Sequence, residues 1–354
     1  MTMIRNAIVG AGTTFALLAA MNANAAMQSF TPLPAPDCGT PTSYTQTDNC
    51  IQFGDFSVYS LALLYAQATF AGTGTIPTTN PNPGDPYYVA SAPGELGNTG
   101  YIVYGTGTNN NNVVTNGAGT LIDDAQSNPD GSTSSFAVGA PSETDPTFTG
   151  DVTTEWNGTL SAIRDELGAG SNGDGQFIIY FNLNETGSDG LAGIDLQAWF
   201  RVTLTDSEGV LPTKSFYLTG SPGSTSTPAL GDSSDSEWVY VHGTICVSAT
   251  AGFLGFGPCS DAQKAIGGTD INQNLGANTA AFAIYNPELS SLVLNSGYDI
   301  LSGEWRFNEI NNGYEQQFSA LTDVGRVPLP SSLALMGLGM AGFSLLWGRR
   351  AARS

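Results

Sequence analysis

Short apolar runs separated by glycine, proline and asparagine dominate the middle of the chain. Residues 176–183 (QFIIYFNL) predict a buried strand, and residues 196–205 (LQAWFRVTLT) predict its partner. Further short strands are predicted at 87–89, 101–104, 135–138, 215–218, 238–247, 281–285 and 304–307. Many short strands between turn residues predict an all-β body, either a β-sandwich or a jelly-roll-like fold.

One segment has a helical period instead. Within residues 156–167, Leu160, Ile163 and Leu167 occupy the i, i+3 and i+7 positions that share one helical face. Gly168 follows where helices commonly end. The sequence therefore predicts one or two short helices attached to the β body. Loops are predicted where proline and glycine are dense, at 31–44, 72–86 and 105–112.

The first 26 residues have the three parts of a secretory signal peptide. Arg5 precedes an apolar run at residues 7–20, and small residues follow at 23–26. We expect cleavage after Ala25 or Ala26, because small residues occupy the cleavage site of such peptides. The mature chain is then exported.

A second apolar segment, residues 331–348, is uncharged and dominated by Leu, Met, Ala, Phe and Trp. As a helix it would be about 27 Å long, close to the hydrocarbon thickness of a bilayer, about 30 Å. Arg349, Arg350 and Arg353 follow it, and basic residues prefer the cytoplasmic side. The sequence thus predicts a transmembrane helix with the body on the opposite side of the membrane.

These two ends divide the chain into a signal peptide (1–26), an acidic β-rich extracellular body (27–326) and a C-terminal segment (327–354). The body contains all 31 acidic residues and six of the ten basic residues, a formal charge of −25. A polyanion of this kind is repelled by nucleic acid and by anionic lipid surfaces. Nucleic acid is therefore excluded as a partner.

The C-terminal segment resembles the PEP-CTERM sorting signal of Gram-negative bacteria. The resemblance rests on Val327, Pro328, Leu329 and Pro330, followed by the apolar segment and the arginine cluster. Leu329 replaces the acidic residue of the usual motif, so the VPLPA-CTERM class matches better, with Ser331 in place of its alanine. The stretch 156–206 also resembles a segment that recurs in the bodies of PEP-CTERM proteins.

The resemblance implies that an exosortase, a membrane-embedded cysteine transpeptidase, removes the tail and passes the protein toward the cell surface. The chain would then contact the inner membrane only transiently. A permanent single-span anchor is the alternative, because its apolar span and arginines would be the same.

Four cysteines in an exported chain predict two disulfides. Four cysteines allow three pairings, and in the local one, Cys38–Cys50 and Cys246–Cys259, each bond would close a small loop. A zinc site is the competing interpretation. It has little support, because no Cys-x-x-Cys spacing occurs and His242 is the sole histidine of the chain.

No catalytic residue is predicted. A serine triad would need His242, yet no Gly-x-Ser-x-Gly turn is present, and the phosphate-loop motif is absent too. Asp165 and Glu166 are adjacent on the predicted helix, so they point about 100° apart and cannot flank one glycosidic bond. No cofactor is predicted, although clustered oxygens at 171–175 and 232–237 leave calcium as a candidate.

Tryptophans offer a further candidate surface, since exposed indole rings could stack on sugars. Each also lies in an apolar pattern where core packing is the commoner outcome: Trp156, Trp199, Trp238 and Trp305.

The sequence therefore predicts an exported, non-enzymatic surface or extracellular-matrix protein associated with exopolysaccharide or the cell envelope. The alternatives are an enzyme that acts on polysaccharide and a calcium-dependent, carbohydrate-binding adhesin at the cell surface.

Overall fold

The structure is a computed structural model that describes the greater part of residues 31–322. The described ranges are 31–40, 48–91, 101–105, 114–115, 121–122, 155–167, 175–184, 196–229, 232, 234–248, 252–276, 278–308 and 316–322. The predicted signal peptide and the segment 327–354 lie outside these ranges. So do the predicted strand at 135–138 and the predicted helix stop at Gly168.

The described residues form mostly β-structure, as predicted. The strands are β1 (Cys38–Gly39), β2 (Cys50–Phe53), β3 (Phe56–Ser60), β4 (Tyr101–Gly105), β5 (Val114–Thr115), β6 (Leu121–Ile122), β7 (Glu155–Thr159), β8 (Gln176–Asn182), β9 (Leu196–Thr205), β10 (Lys214–Leu218), β11 (Val239–Val241), β12 (Thr244–Ser248), β13 (Gly252–Phe256), β14 (Gly268–Asn272), β15 (Ala280–Tyr285), β16 (Ile300–Asn308) and β17 (Gln316–Thr322). The helices are α1 (Leu61–Thr73), α2 (Leu160–Glu166), α3 (Asp261–Ala265) and α4 (Pro287–Asn295).

The strands form two large sheets and two small ones. The seven-stranded sheet has the order β1-β2-β3-β15-β8-β17-β4. The five-stranded sheet has the order β10-β9-β16-β7, and β11 also pairs with β9. A three-stranded sheet, β13-β12-β14, and the pair β5-β6 complete the described strands.

The two large sheets share one apolar core, and β8 shows how the sequence builds it. Phe177, Ile179 and Phe181 belong to the core between the sheets. Ile178 and Tyr180 alternate with them and pack in a second cluster on the outer face. Because successive side chains of a strand point to opposite faces, burial on both faces produces the continuous apolar run.

The predicted pairing of residues 176–183 with 196–205 is wrong. Both segments are strands, but β8 pairs with β15 and β17, whereas β9 pairs with β10, β11 and β16. They contribute to the same core from opposite layers. An apolar pattern indicates that a strand is buried, and it carries no information about which strand lies beside it.

The predicted helix at 156–167 is shorter than expected. Residues Glu155–Thr159 pair with β16 as strand β7, and the helix begins only at Leu160. The predicted face is confirmed, because Leu160, Ile163 and Leu167 are each at most 1% exposed. Four helices occur in the described ranges, more than the one or two predicted.

The longest of these helices, α1, has no polar face in its first two turns. Leu61 and Leu64 pack on the outer face of the seven-stranded sheet, while Ala62, Leu63 and Ala66 pack against the three-stranded sheet. A helix enclosed between two layers is apolar on nearly every side, so its sequence shows little amphipathic period. Its ends are nevertheless marked, by Ser60, whose hydroxyl accepts from the Leu63 N–H, and by the left-handed Gly74.

The remaining strand predictions had mixed outcomes. Those at 101–104, 215–218, 281–285 and 304–307 are confirmed within β4, β10, β15 and β16. Residues 87–89 do not form a strand, and only an isolated bridge joins Ala90 to Thr279. Residues 238–247 form two strands in different sheets, β11 and β12, rather than one.

Two disulfides are present, and they join the local pairs. Cys38–Cys50 connects β1 to β2 with a Cα–Cα distance of 4.5 Å. Cys246–Cys259 connects β12 to the segment before α3 with a Cα–Cα distance of 4.9 Å. All four cysteines are therefore oxidised, and none retains the thiolate that a zinc site would require. The zinc interpretation is wrong.

Within the described ranges, no helix has both the length and the apolar character that crossing a bilayer requires. The span predicted at 331–348 lies outside them.

Candidate functional site: an apolar pocket between the sheets

One end of the space between the two large sheets is an apolar pocket with a volume of about 80 Å³. Its floor is the inner face of the seven-stranded sheet. Ser60, Phe282, Phe181 and Gln317 lie side by side on β3, β15, β8 and β17 and form one row of this floor. Three strand spacings make this row about 14 Å long.

A second row lies next to the first. Ile51, Val58 and Ile284 are cross-strand neighbours on β2, β3 and β15. Val58 and Ile284 are each two residues along their strands from Ser60 and Phe282, so the rows share one face. The floor therefore contains only two polar side chains, at the two ends of the first row.

The opposite walls come from the other two sheets. Ala198 and Val239, which are paired across β9 and β11, face the floor from the five-stranded sheet. Ile245, Phe253 and Phe256 contribute from the three-stranded sheet. The pocket thus lies where three sheets meet.

Aromatic rings surround the mouth of the pocket. Tyr240 and Phe256 are each 37% exposed, a high value for large apolar side chains in this molecule. The ring of His242 stacks on Phe256 with a centroid distance of 4.6 Å, and Phe253 meets Phe256 edge-on at 5.0 Å. These contacts hold the rim in a defined arrangement.

Gln273 fixes the turn on which His242 lies. Its side-chain amide donates to the carbonyl of His242 at 2.8 Å, and its backbone N–H donates to the carbonyl of Gly243 at 2.7 Å. Gln273 is itself buried. The chain can therefore leave β11 in one sheet and enter β12 in another without leaving these two carbonyls unpaired.

The side chain of Gln317 brings a polar atom without a hydrogen-bond partner to the pocket. Its side chain is 2% exposed, and its amide oxygen, Oε1, has no hydrogen-bond partner among the described residues. A buried acceptor without a partner costs free energy, about 1–3 kcal/mol, unless a donor reaches it. The lining offers no such donor to this oxygen.

The pocket selects against charge. No Asp, Glu, Lys or Arg occurs among its described lining residues. Moving an ion into such surroundings without a partner is far more costly than moving a neutral group. The arrangement is suited to a small neutral apolar group.

The candidate residues from the sequence lie mostly elsewhere. Three of the four tryptophans considered for sugar stacking are buried, Trp199 at 0%, Trp238 at 1% and Trp305 at 3% exposure, so they offer no ring for this contact. The side chains of Trp156, Asp165 and Glu166 lie outside the described part of the structure. Of the described candidates, His242 reaches the pocket at its rim, and the disulfide-bonded Cys50 contributes to its lining.

The acidic loop at 232–237 uses its carboxylates to hold its own backbone. Asp232 accepts from the N–H and hydroxyl of Ser234, and Asp235 accepts from Ala229 and Glu237 N–H groups. The Ser234 hydroxyl bond lowers the pKa of Asp232 below its ordinary value. Of the other calcium candidate, 171–175, only Gly175 lies within the described ranges.

One cluster of potential metal ligands is found in the described ranges, Cys246, Cys259 and Asp270. Its two sulfurs are joined in a disulfide, and Asp270 accepts from the Cys259 N–H at 2.6 Å. This cluster stabilises the β12–β14 region and is not a metal site.

Sequence reasoning did not identify the pocket residues as a group. They are distributed from Cys50 to Gln317 and meet only through the sheet registers. No local motif marks them, because isolated apolar residues on strands are the ordinary signature of a core.

Comparison with known families places this body in a defined group. The family described as "Domain of unknown function (DUF8239)" has a model that matches residues 36–306, more than half of the chain. The chain belongs to this family. The DUF8239 match includes every described lining residue of the pocket except Gln317, which lies on β17 beyond the matched range.

A second family model, the PEP-CTERM protein-sorting motif, matches residues 326–350, on the C-terminal side of the DUF8239 match. The resemblance to PEP-CTERM proteins is therefore confirmed at the level of that family. No curated protein and no solved structure matches the chain.

Proposed function

We propose that this chain is a non-enzymatic surface or extracellular-matrix protein, delivered by an exosortase-type system and associated with extracellular polysaccharide. The observation that carries the proposal is the PEP-CTERM protein-sorting motif at residues 326–350, which implies export and sorting toward the cell surface. The finer assignment to the VPLPA variant rests on Val327, Pro328, Leu329 and Pro330.

The two disulfides support an extracellular destination. Disulfides persist in oxidising compartments and are rare where thiols are kept reduced. Cys38–Cys50 and Cys246–Cys259 are both fully formed, and each encloses a short loop in the body.

The character of the pocket supports a non-enzymatic role. Acid–base catalysis requires titratable groups positioned beside the reacting bond. The described lining has no acidic residue, lysine or arginine, and its histidine, His242, lies at the rim with its ring stacked on Phe256. The Ser60 hydroxyl accepts from the Leu63 N–H as a helix cap. The shared core of the two large sheets further supports a β-sandwich as the architecture of the body.

The surface charge favours a neutral polysaccharide over an acidic one. The chain has a formal net charge of −21, and like charge raises the cost of approach to a polyanion. With three tryptophans buried, contact with sugar would use exposed polar loops and the aromatic rim of the pocket.

The sorting step is tested by fractionation of cells with and without the exosortase-type enzyme. We expect the protein in the surface or extracellular fraction only when that enzyme is present, in a form whose mass spectrum lacks the peptide containing Trp347. Substitution of Pro328 and Pro330 by alanine should retain the protein in the inner membrane, whereas Val210→Ala, in an exposed body loop, should not. An extracellular form that retains Trp347 would refute the sorting proposal.

Polysaccharide association is tested separately with the released protein on an array of neutral and acidic glycans. We expect binding to neutral glycans without a change in their size distribution. Depolymerised or modified glycan would instead establish an enzyme.

A further inference from the structure

We propose that the pocket between the sheets is a binding site for a small neutral apolar alcohol, or for the equivalent end-group of a larger molecule. The apolar part would fill the space between Phe181, Ala198 and Phe282, and the hydroxyl would donate a hydrogen bond to Oε1 of Gln317. This inference is independent of the sorting proposal, since binding is a property of the folded body.

Gln317 lies at one end of an apolar row of the pocket floor. Gln317 is paired with Phe181 across β17 and β8, and Phe181 is paired with Phe282 across β8 and β15. The two phenylalanine rings are stacked at 6.5 Å. A molecule lying along these rings would therefore have its terminal group beside Gln317.

The chemistry of the unsatisfied Gln317 atom limits which ligands can bind it. Oε1 of Gln317 is an acceptor, so its partner must supply a proton from a hydroxyl or an amide N–H. A carboxylate ligand has no donor to offer and would be repelled by the acidic chain. For an ammonium ligand, the described lining residues offer the amide oxygen of Gln317 and no carboxylate. These contacts are too few to replace the water molecules that the ion would lose.

The volume of the pocket limits the size of its ligand. A cavity needs a volume of about 10–15 Å³ to hold one water molecule. The pocket volume of about 80 Å³ therefore corresponds to about six water molecules. A single ring or a short alkyl group has this size, and a folded polysaccharide does not. The aromatic side chains of the floor and rim would give a ring favourable edge and offset contacts.

The aromatic rim of the pocket gives access to its interior. Tyr240 and Phe256 at the mouth are each 37% exposed, while Phe181 and Ala198 inside are 4% and 6% exposed. The pocket thus runs from a partly open aromatic rim to a buried polar end. A ligand can enter with its hydroxyl first and leave its apolar part covered.

The experiment compares two probes that differ only in the donor, fluorinated benzyl alcohol and fluorotoluene, by fluorine NMR. The full chain is reconstituted in phosphatidylcholine nanodiscs, and empty nanodiscs report partitioning into lipid. We expect saturable binding of the alcohol with a Kd of about 1 mM or below. The alcohol should bind about fivefold more tightly than fluorotoluene, the ratio that one hydrogen bond provides.

Three variants locate the site. Gln317→Leu removes the acceptor while nearly conserving volume, so fluorotoluene binding should persist and the preference for the alcohol should disappear. Ala198→Phe fills the pocket and should abolish saturable binding of both probes. Val241→Trp, at a half-buried position of the same wall, gives a second blocked pocket if Ala198→Phe does not fold.

The matched control is Val210→Phe, which adds an aromatic ring to a residue that is 77% exposed and outside the pocket. It should bind both probes as the unaltered chain does. Saturable binding that survives both pocket-filling variants, or no saturable binding by the unaltered chain, would overturn the proposal. An alcohol preference that survives Gln317→Leu would overturn the role of Gln317.

Discussion

At the scale of single residues, Gly303 on β16 shows how a missing side chain permits a core contact. A Cβ placed at Gly303 would overlap the indole ring of Trp305, two residues along the same strand face. Trp305 is 3% exposed and belongs to the core between the sheets, so its ring cannot move aside without disturbing its neighbours.

We therefore expect Gly303→Ala to lower the free energy of unfolding by about 1–3 kcal/mol through overpacking. Urea titration of the variant and of the unaltered protein measures this difference in the free energy of unfolding. The control is Gly72→Ala in α1, where a Cβ meets nothing within 4 Å and alanine should stabilise by about 0.5–1 kcal/mol. Equal effects of the two substitutions would contradict the packing explanation.

A second residue-scale feature is the carboxylate of Asp299. It accepts from the Ser207 N–H at 2.9 Å and from the Ser207 hydroxyl, which lowers its pKa below the ordinary 3.8. Because the folded pKa is depressed, this group stabilises the fold above about pH 4, and the contribution is lost as pH falls through the folded pKa.

Asp299→Asn should accordingly lower the melting temperature at pH 7, and the difference from the unaltered protein should shrink as pH falls below 3.8. Thermal unfolding recorded across pH 2–7 measures this. In a Ser207→Ala background the substitution should have little effect at any pH. A difference that is independent of pH would show that charge at Asp299 is not the cause.

At the scale of elements, the two disulfides each restrict a short connection. The sequence separations are 12 and 13 residues, for which the loss of chain entropy in the unfolded state corresponds to about 3 kcal/mol per bond. Cys246–Cys259 also joins β12 to the segment before α3, which supports the three-stranded wall of the pocket.

Replacing Cys38 and Cys50 by alanine should therefore lower the free energy of unfolding by about 3 kcal/mol, and replacing Cys246 and Cys259 should do the same. Urea titrations in the absence of reductant measure both. Both double variants should also weaken binding of the alcohol probe, because Cys50 lines the pocket and Cys246–Cys259 supports its three-stranded wall. In the four-alanine variant, added dithiothreitol should have no effect, whereas it should destabilise the unaltered protein.

The loop at 232–237 gives a prediction about cations. Its Asp232 and Asp235 oxygens already accept hydrogen bonds from their own loop, so we expect no calcium requirement. The melting temperature should be the same in a chelator and in calcium at about 1 mM, a concentration at which weak extracellular calcium sites are occupied. A melting temperature that is clearly higher in calcium than in the chelator would favour the calcium-dependent adhesin.

At the scale of the whole molecule, negative charge is the dominant electrostatic feature. Four of the five described basic side chains form ion pairs with acids: Arg201 and Arg306 with Glu304, Lys214 with Glu288 and Lys264 with Asp270. Arg164 instead donates to the Val293 and Ser296 carbonyls at the end of α4. Few cations therefore remain to balance the acidic surface.

Self-repulsion of this surface should make the fold more stable in salt. Raising sodium chloride from about 10 mM to about 150 mM shortens the screening length from about 30 Å to about 8 Å. We expect the melting temperature to rise over this interval, because screening weakens repulsion between unpaired acids more than it weakens the short ion pairs. A fall in melting temperature would mean that the ion pairs dominate.

The sequence by itself determined the features that depend on local order along the chain. These features are strand β8, the buried face of Leu160, Ile163 and Leu167, and the sorting motif at 326–350. The cysteine count in an exported chain also predicted two disulfides, although their pairing came from the structure. The missed helix α4 also carried local signals, since Asn286 caps it, Pro287 begins it and Glu288 lies in its first turn.

The tertiary structure alone decided which strands pair and where the pocket lies. Placing β8 and β9 in opposite sheets, enclosing α1 between two layers and bringing Gln317 beside Phe181 all depend on contacts between distant segments. The physical reason is that apolar periodicity reports burial, which many partners can provide equally well. The choice among those partners is made by the packing of the whole core.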